Sequence, residues 1–145
     1  MPDGWLLDTN IISATFGNKR ADVRIVRFLQ TLPDARLHLS ILTVGELRKG
    51  IELLTPTDQR RHTFEVKVEE LEVRWADRIL MVDGAVAHRW GELTAHYERR
   101  GQPMPAIDGL IAATAEVHNL VLVSHDAVFQ RLSERMSVYD PLARA

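Results

Sequence analysis

The chain of 145 residues contains no cysteine. This absence excludes disulfide bonds, thiolate metal sites and a cysteine nucleophile together. It also suits a reducing compartment, so we expect a cytoplasmic protein. The length is typical of one domain and is sufficient to bury most of the apolar surface without covalent cross-links. We therefore interpret residues 1–145 as a single domain.

Long hydrophobic runs are absent as well. The first four residues carry no positive side chain, and the apolar run after them stops at Asp8, which is too short for a signal peptide. No stretch approaches the roughly 20 apolar residues that a membrane span requires. We expect a soluble protein with no membrane partner.

A large excess of positive charge is also missing, since the formal net charge is -2. This balance argues against a protein that binds nucleic acid by bulk electrostatics. The basic residues are clustered, however, and a cluster is usually a solvated helix surface. Two clusters, Lys19-Arg20 and Arg48-Lys49, closely follow two acidic residues discussed below and would suit a polyanionic substrate. Arg24 lies near the first of them.

The chain alternates short apolar runs with amphipathic segments. Strands are predicted at 5–7, 36–41, 79–82, 120–123 and 137–139, and helices at 10–16, 21–32, 43–54, 58–76, 84–100, 105–115 and 128–132. The most apolar strand, 120–123, is predicted to be central. Asp83 is predicted to be the N-cap of helix 84–100. The pattern predicts a three-layer α/β fold, with a mostly parallel central sheet of four to five strands flanked by helices.

Acidic residues stand at four places where a predicted strand passes into a helix or its first turn. In an open parallel sheet, the carboxyl ends of the strands open into one crevice, where residues distant in sequence converge. Four carboxylates in one cleft repel each other unless a cation neutralises them, so the sequence predicts a divalent metal site. The four acids are Asp8, Glu46, Asp108 and Asp126.

Each acid also has a purely structural explanation. Asp8 and Asp126 could be helix N-caps, and Thr43-x-x-Glu46 matches the capping box. Asp108 lies near a helix start, where negative charge is favourable. Ser, Thr or Asn would serve equally well as caps, yet all four positions carry carboxylates, which favours a shared function.

The four acidic segments together resemble the PIN-domain ribonucleases of the VapC type, the toxins of bacterial toxin–antitoxin pairs. Each motif is weak alone, but the four occur in order over nearly the whole chain. The segments are Trp5-Leu6-Leu7-Asp8-Thr9-Asn10, Ser40-Ile41-Leu42-Thr43-Val44-Gly45-Glu46-Leu47, Pro105-Ala106-Ile107-Asp108 and Leu122-Val123-Ser124-His125-Asp126.

The resemblance implies a PIN-like fold and metal-dependent cleavage of RNA phosphodiester bonds by the four acids. Carboxylate oxygens are hard ligands, so we expect Mg²⁺ or Mn²⁺. Asp8 and Asp108 are expected to ligate the metal directly, with Glu46 and Asp126 acting through water or a second ion. The fourth acidic position is less uniform in the family than the other three.

Polar neighbours of the acids have expected supporting roles. Thr9 or Ser124 could hold water or phosphate through its hydroxyl, and Asn10 could fix a neighbouring carboxylate. His125 should face away from Asp126, because adjacent side chains of an extended segment point to opposite sides. The candidate RNA contacts are Arg20, Arg24, Arg48 and Lys49.

The resemblance also implies partners. We expect a homodimer, with helices 21–32 and 43–54 as its candidate surfaces. We also expect a cognate antitoxin, and contact with DNA only through that antitoxin. The antitoxin is expected to place an apolar stretch beside helix 44–54 and a basic side chain at Asp8, Glu46 or Asp108, since Arg matches carboxylate geometry.

Other classes of function remain open at this point. A PIN-fold module could act mainly by binding within a DNA-binding toxin–antitoxin complex. A phosphatase of the haloacid-dehalogenase type is less favoured, because Asn10 stands where the second acid of its D-x-D pattern belongs. A phosphorelay receiver domain is disfavoured because no lysine follows Lys67.

Overall fold

The structure is a computed structural model that describes residues 1–16 and 22–143. Its strands are β1 (Gly4–Leu7), β2 (Leu37–Ser40), β3 (Ile79–Leu80), β4 (Leu120–Val123) and β5 (Val138–Tyr139). Its α-helices are α1 (Thr9–Ser13), α2 (Val23–Gln30), α3 (Ile41–Glu52), α4 (Arg60–Arg74), α5 (Gly84–Arg99), α6 (Ala106–Val117) and α7 (Ala127–Gln130). Short 3₁₀ turns cover Ala14–Phe16, Asp34–Arg36 and Arg131–Glu134.

The five strands form one sheet in the order β3-β2-β1-β4-β5, and every neighbouring pair is parallel. Parallel strands need crossover connections, and the helices between successive strands supply them. This arrangement confirms the predicted α/β class and the flanking helices.

Helices cover both faces of the sheet, as two adjacent residues of β1 show. Leu6 and Leu7 are both completely buried, but Leu6 packs in a core with α5 and α6, whereas Leu7 packs in a second core with α1, α3 and α4. Successive strand residues point to opposite faces, so the molecule has two cores and three layers.

Two details of the predicted fold are wrong. The middle strand is β1, whereas β4 lies between β1 and β5. The apolar sequence of β4 therefore reflects coverage of both its faces rather than its place in the strand order. Helix α3 also begins at Ile41, earlier than the predicted residue 43, since Ser40 caps it by accepting the Leu42 N–H at 3.0 Å. The start predicted at residue 21 for α2 lies outside the described residues.

The strand register brings the carboxyl ends of the interior strands together. Leu7 of β1 lies opposite Val123 of β4, and the N–H of Asp8 donates to the carbonyl of Val123 at 3.1 Å. The segments that follow β1, β2 and β4 consequently begin at one edge of the sheet. No helix in the described part of the chain has the length and apolar character needed to cross a bilayer.

Candidate active site

Asp8 is the most buried acid at this edge, with 4% of its surface exposed. It caps α1 by accepting the Ile11 N–H on Oδ1 at 3.0 Å, while Oδ2 accepts a hydrogen bond from the Ser124 hydroxyl. Burial raises the pKa of the Asp8 carboxyl above its ordinary value, although these hydrogen bonds oppose the rise. The charge of Asp126 adds a smaller increase in the pKa.

Ser124 joins two of the acidic segments. Its fully buried side chain donates to Asp8 and accepts the backbone N–H of Asp126 at 3.0 Å. Asp126 in turn caps α7, since its side chain accepts the Val128 N–H at 3.1 Å. The end of β4 is thereby fixed relative to the end of β1, and each of these two acids is both a cap and a member of the cluster.

Glu46 reaches the same edge from the interior of α3. Its Oε1 accepts a hydrogen bond of 2.7 Å from the Thr9 hydroxyl, whose oxygen also lies 3.2 Å from Oγ1 of Thr43. The capping-box explanation of Glu46 is wrong, because Ser40 caps this helix and Thr43 is buried inside it. The Glu46 side chain is therefore available to the cleft.

Asp108 comes from the first turn of α6 and is partly buried. Burial is the main cause of a raised pKa at its carboxyl, and the negative charges of Asp126, Glu46 and Asp8 raise the pKa further. The four predicted acids thus act on one another across four separate segments. Unlike the other acids, Asp108 makes no side-chain hydrogen bond within the described residues.

The cluster has the composition of a hard-cation site. Within residues 1–16 and 22–143, none of the four acids forms an ion pair with Lys, Arg or His. In the same part of the chain, no group of three or more His, Cys, Asp or Glu side chains is arranged to hold an ion. Mg²⁺ does not require such a group, because it keeps several waters and uses one or two carboxylates together with substrate phosphates. The oxygen donors and the uncompensated charge fit a divalent ion of this kind.

The supporting polar residues lie against the acids, and their expected contact with water or phosphate stays a prediction. The hydroxyls of Thr9 and Ser124 bind carboxylates of the cluster. The Asn10 side chain is exposed, and it is the backbone of Asn10 that stabilises the charged form of Asp8. His125 faces away as expected, with Nδ1 2.9 Å from Asp140.

The candidate RNA contacts are unequal. Arg24 is held by Asp22 through a fork of two hydrogen bonds, at 2.8 and 3.1 Å. Arg48 is exposed and lies 3.8 Å from Glu52, while Lys49 is exposed and forms no ion pair in the described part of the chain. Arg20, together with Lys19, lies outside the described residues.

A small pocket of about 220 Å³ adjoins the cluster. It lies between α3 and α4, and Glu46 forms part of its wall. The rest of the lining is mainly apolar and consists of Ser13, Phe16, Leu47, Gly50, Ile51, Leu54, Phe64 and Val68. A carboxylate of the cluster is therefore continuous with an apolar surface along α3.

The close packing of α5 against the first turn of α6 was not predicted from the sequence. A Cβ atom on Gly109 would lie 2.9 Å from Cγ2 of Thr94 and 3.1 Å from Nε1 of Trp90. The available signal was a glycine directly after Asp108 in an apolar helix, since such a glycine often marks a close approach of two backbones.

Comparison with known proteins gives a consistent result. The sequence pattern of the PIN domain family matches residues 5–135. Toxin FitB of Neisseria gonorrhoeae is 34% identical over 121 residues, which cover 83% of this chain and 86% of FitB. VapC ribonuclease Y4jK of Sinorhizobium fredii is 31% identical over 122 residues, with coverage of 83% and 86%.

A solved structure agrees with these relatives. The chain resembles a member of the VapBC family of toxin–antitoxin systems, VapBC-5 from Mycobacterium tuberculosis, with a TM-score of 0.69 and 27% identity. The alignment covers 96% of this chain and 98% of that one.

Proposed function

Because the chain belongs to the PIN domain family, we propose that it is the ribonuclease toxin of a toxin–antitoxin pair. It would hydrolyse RNA phosphodiester bonds in the cytoplasm with the help of Mg²⁺ or Mn²⁺, and residues 1–145 would form a single PIN domain. The observation that carries this proposal is the convergence of Asp8, Glu46, Asp108 and Asp126 without a basic partner in the described residues. A module that only binds would not need to keep four repelling carboxylates together.

In this mechanism Asp8 and Asp108 would hold the ion, since burial raises the pKa of both carboxyls and a bound cation would offset that loss of hydration. Such an ion supplies Lewis acidity, which polarises the scissile phosphate and makes water a better nucleophile at neutral pH. The two carboxylates would hold the ion at the edge of the sheet, and its positive charge would offset the repulsion between the acids and an RNA phosphate.

The other two acids orient the attacking water. The Thr9 hydroxyl fixes Oε1 of Glu46 at 2.7 Å, which leaves Oε2 to accept a hydrogen bond from water. Asp126 is fixed by its cap on α7 and through Ser124. A carboxylate with a fixed rotamer can hold water in line with the phosphate, and such positioning lowers the activation barrier.

The test is RNA cleavage by purified variants. Loss of a residue that supports a metal ligand lowers activity by at most about 100-fold. Loss of a ligand itself should cost more, so Asp8→Asn and Asp108→Asn should each reduce cleavage by more than about 100-fold. The matched control is Asp83→Asn, because Asp83 caps α5 by accepting the Val86 N–H at 3.0 Å and is not among the four acids. Full activity in Asp8→Asn, or an equal loss in the control, would refute the assignment.

An antitoxin is the proposed restraint on this activity. The apolar pocket between α3 and α4 shares Glu46 with the cluster, so a peptide that fills the pocket can also place a basic side chain among the acids. Its affinity should fall as Mg²⁺ rises, because the two cations compete for the same oxygens. An affinity that is independent of Mg²⁺ would place inhibition elsewhere. Contact with DNA is proposed only through the antitoxin.

A homodimer is proposed from the family membership. The helices expected at its interface offer little apolar surface, because Ile25, Leu47 and Ile51 lie in the core. Among the described apolar residues of these two segments, only Val23 on α2 and Leu53 just beyond α3 are more than half exposed, at 55% and 75%. Light scattering at micromolar concentration should show a dimer, and a strict monomer would remove the proposal.

A further inference from the structure

We infer that Gly109, Trp90 and Thr94 form a positioning contact that sets the carboxylate of Asp108 for its role in metal binding. This contact, here called the α5–α6 contact, rests on the proposed function, because it concerns one of the proposed metal ligands. Asp108 makes no side-chain hydrogen bond in the described residues, so the position of α6 determines where its carboxylate lies.

The α5–α6 contact has no room for a side chain at position 109. A Cβ on Gly109 would lie 2.9 Å from Cγ2 of Thr94, closer than carbon atoms of this kind approach, and 3.1 Å from Cδ1 and Nε1 of Trp90. Gly109 itself is buried. The absence of a side chain therefore allows α5 to approach the residue directly after Asp108.

The Thr94 methyl group cannot easily move aside. Its hydroxyl donates to the carbonyl of Trp90 at 2.7 Å, which holds the side chain in one rotamer. A β-branched residue in a helix has few other rotamers available. The methyl group thus forms a rigid wall for Gly109.

The first turn of α6 is the weaker partner in this contact. Pro105 precedes it without a side-chain cap, and the Gly109 N–H donates to the Pro105 carbonyl at 3.0 Å as the first turn closes. A side chain at position 109 would therefore displace this turn, which carries Asp108, rather than α5.

The Trp90 indole shows that shape rather than hydrogen bonding holds this contact. Its Nε1 atom is buried and has no hydrogen-bond partner within the described residues. A buried donor without an acceptor is unfavourable, and native proteins retain few of them. Among the described residues the ring meets Gly109 through packing, so the contact depends on the size of residue 109.

The test measures Mn²⁺ binding by calorimetry and electron paramagnetic resonance, independently of cleavage. Gly109→Ala should weaken Mn²⁺ binding by about 10-fold, as changes behind a metal ligand typically do. The double variant Gly109→Ala/Thr94→Ser should recover most of this loss, because serine keeps the hydroxyl and lacks the methyl group at 2.9 Å. A merely destabilised protein would not regain metal affinity in this way.

The matched control is Gly91→Ala on α5, where an added Cβ would meet no atom within 4 Å. Its Mn²⁺ affinity should equal that of the unchanged protein. Equal affinity of Gly109→Ala and the unchanged protein would overturn the inference, as would failure of Thr94→Ser to recover binding. If the unchanged protein bound no Mn²⁺, the proposed metal site itself would fail, and the inference with it.

Should Gly109→Ala melt below the assay temperature, the double variant is compared with Thr94→Ser alone. The remaining 3.1 Å contacts with Trp90 should still make the double variant the weaker Mn²⁺ binder. Identical affinities in this pair would overturn the inference equally.

Discussion

Three acidic segments of the cleft are fixed by hydrogen bonds, whereas Asp108 is placed by helix packing. Ser124 links Asp8 to the backbone of Asp126, and Thr9 links the start of α1 to Glu46. These three segments, here called the tethered side, gain their geometry from hydroxyl groups. The position of Asp108 depends on where α6 lies against α5.

The difference matters because a metal site needs both order and charge. Hydrogen bonds to a carboxylate order it but also lower its pKa, which reduces its need for a cation. Asp108 accepts no such hydrogen bond from the residues that the structure describes, and burial together with three nearby charges raises its pKa. A bound ion would therefore relieve the repulsion at Asp108, while the tethered side supplies the fixed geometry.

Among changes that leave all four acids in place, the largest expected effect comes from removing the tethers. Ser124→Ala and Thr9→Val should each lower cleavage or metal affinity by about 10- to 100-fold, because they free the carboxylates of Asp8 and Glu46. Ser124→Ala should have the greater effect, since this hydroxyl contacts two acidic segments. The measurement is kcat and Mn²⁺ affinity side by side. Unchanged values for both variants would mean that packing, rather than the tethers, orders this side as well.

A smaller effect distinguishes the helix cap of α3 at Ser40 from the proposed catalytic role of Glu46. Ser40→Ala should cost about 1 kcal/mol of unfolding free energy, since Ser40 provides the helix cap. Glu46→Gln should leave the cap intact and mainly reduce cleavage. Urea denaturation and RNA cleavage distinguish the two, and a stability loss in Glu46→Gln equal to that of Ser40→Ala would restore the capping-box explanation.

The sequence predicted those parts of the cleft that depend on local structure. Asp8 and Asp126 end apolar runs and begin helices, so their places at strand ends followed from patterns a few residues long. The start of α3 did not follow, because Ile41 and Leu42 continue the apolar pattern of β2 and conceal the cap at Ser40. The fit of Gly109 to Thr94 depends on how two helices pack, and no local pattern determines that.

The third prediction compares the two sides through stability without metal. Asp108→Asn should raise the unfolding free energy by about 0.5–1 kcal/mol after allowance for solvent screening, or roughly 2–4 °C in Tm. It removes a repelled charge and, as far as residues 1–16 and 22–143 are concerned, no hydrogen bond. Asp8→Asn should gain less, because an amide cannot accept hydrogen bonds at both positions that Ile11 and Ser124 now use. Calorimetry in chelator gives both values, and equal shifts would remove the distinction between the sides.

The smallest effects should come from the basic residues around the cleft. In an Asp8→Asn background that binds RNA without cutting it, Lys49→Ala should weaken single-stranded RNA binding and reduce the salt slope by about 0.7. Arg24→Ala should change the slope less, because Asp22 already occupies the fork of its guanidinium. Arg48 should fall between them, since its partner Glu52 lies at 3.8 Å and is also bound by Arg61 at 2.7 Å. Direct contacts with phosphate would distinguish a cation that is already paired from one that is not. Equal losses for all three variants would therefore show that RNA binding depends on the total charge of this surface and not on such contacts.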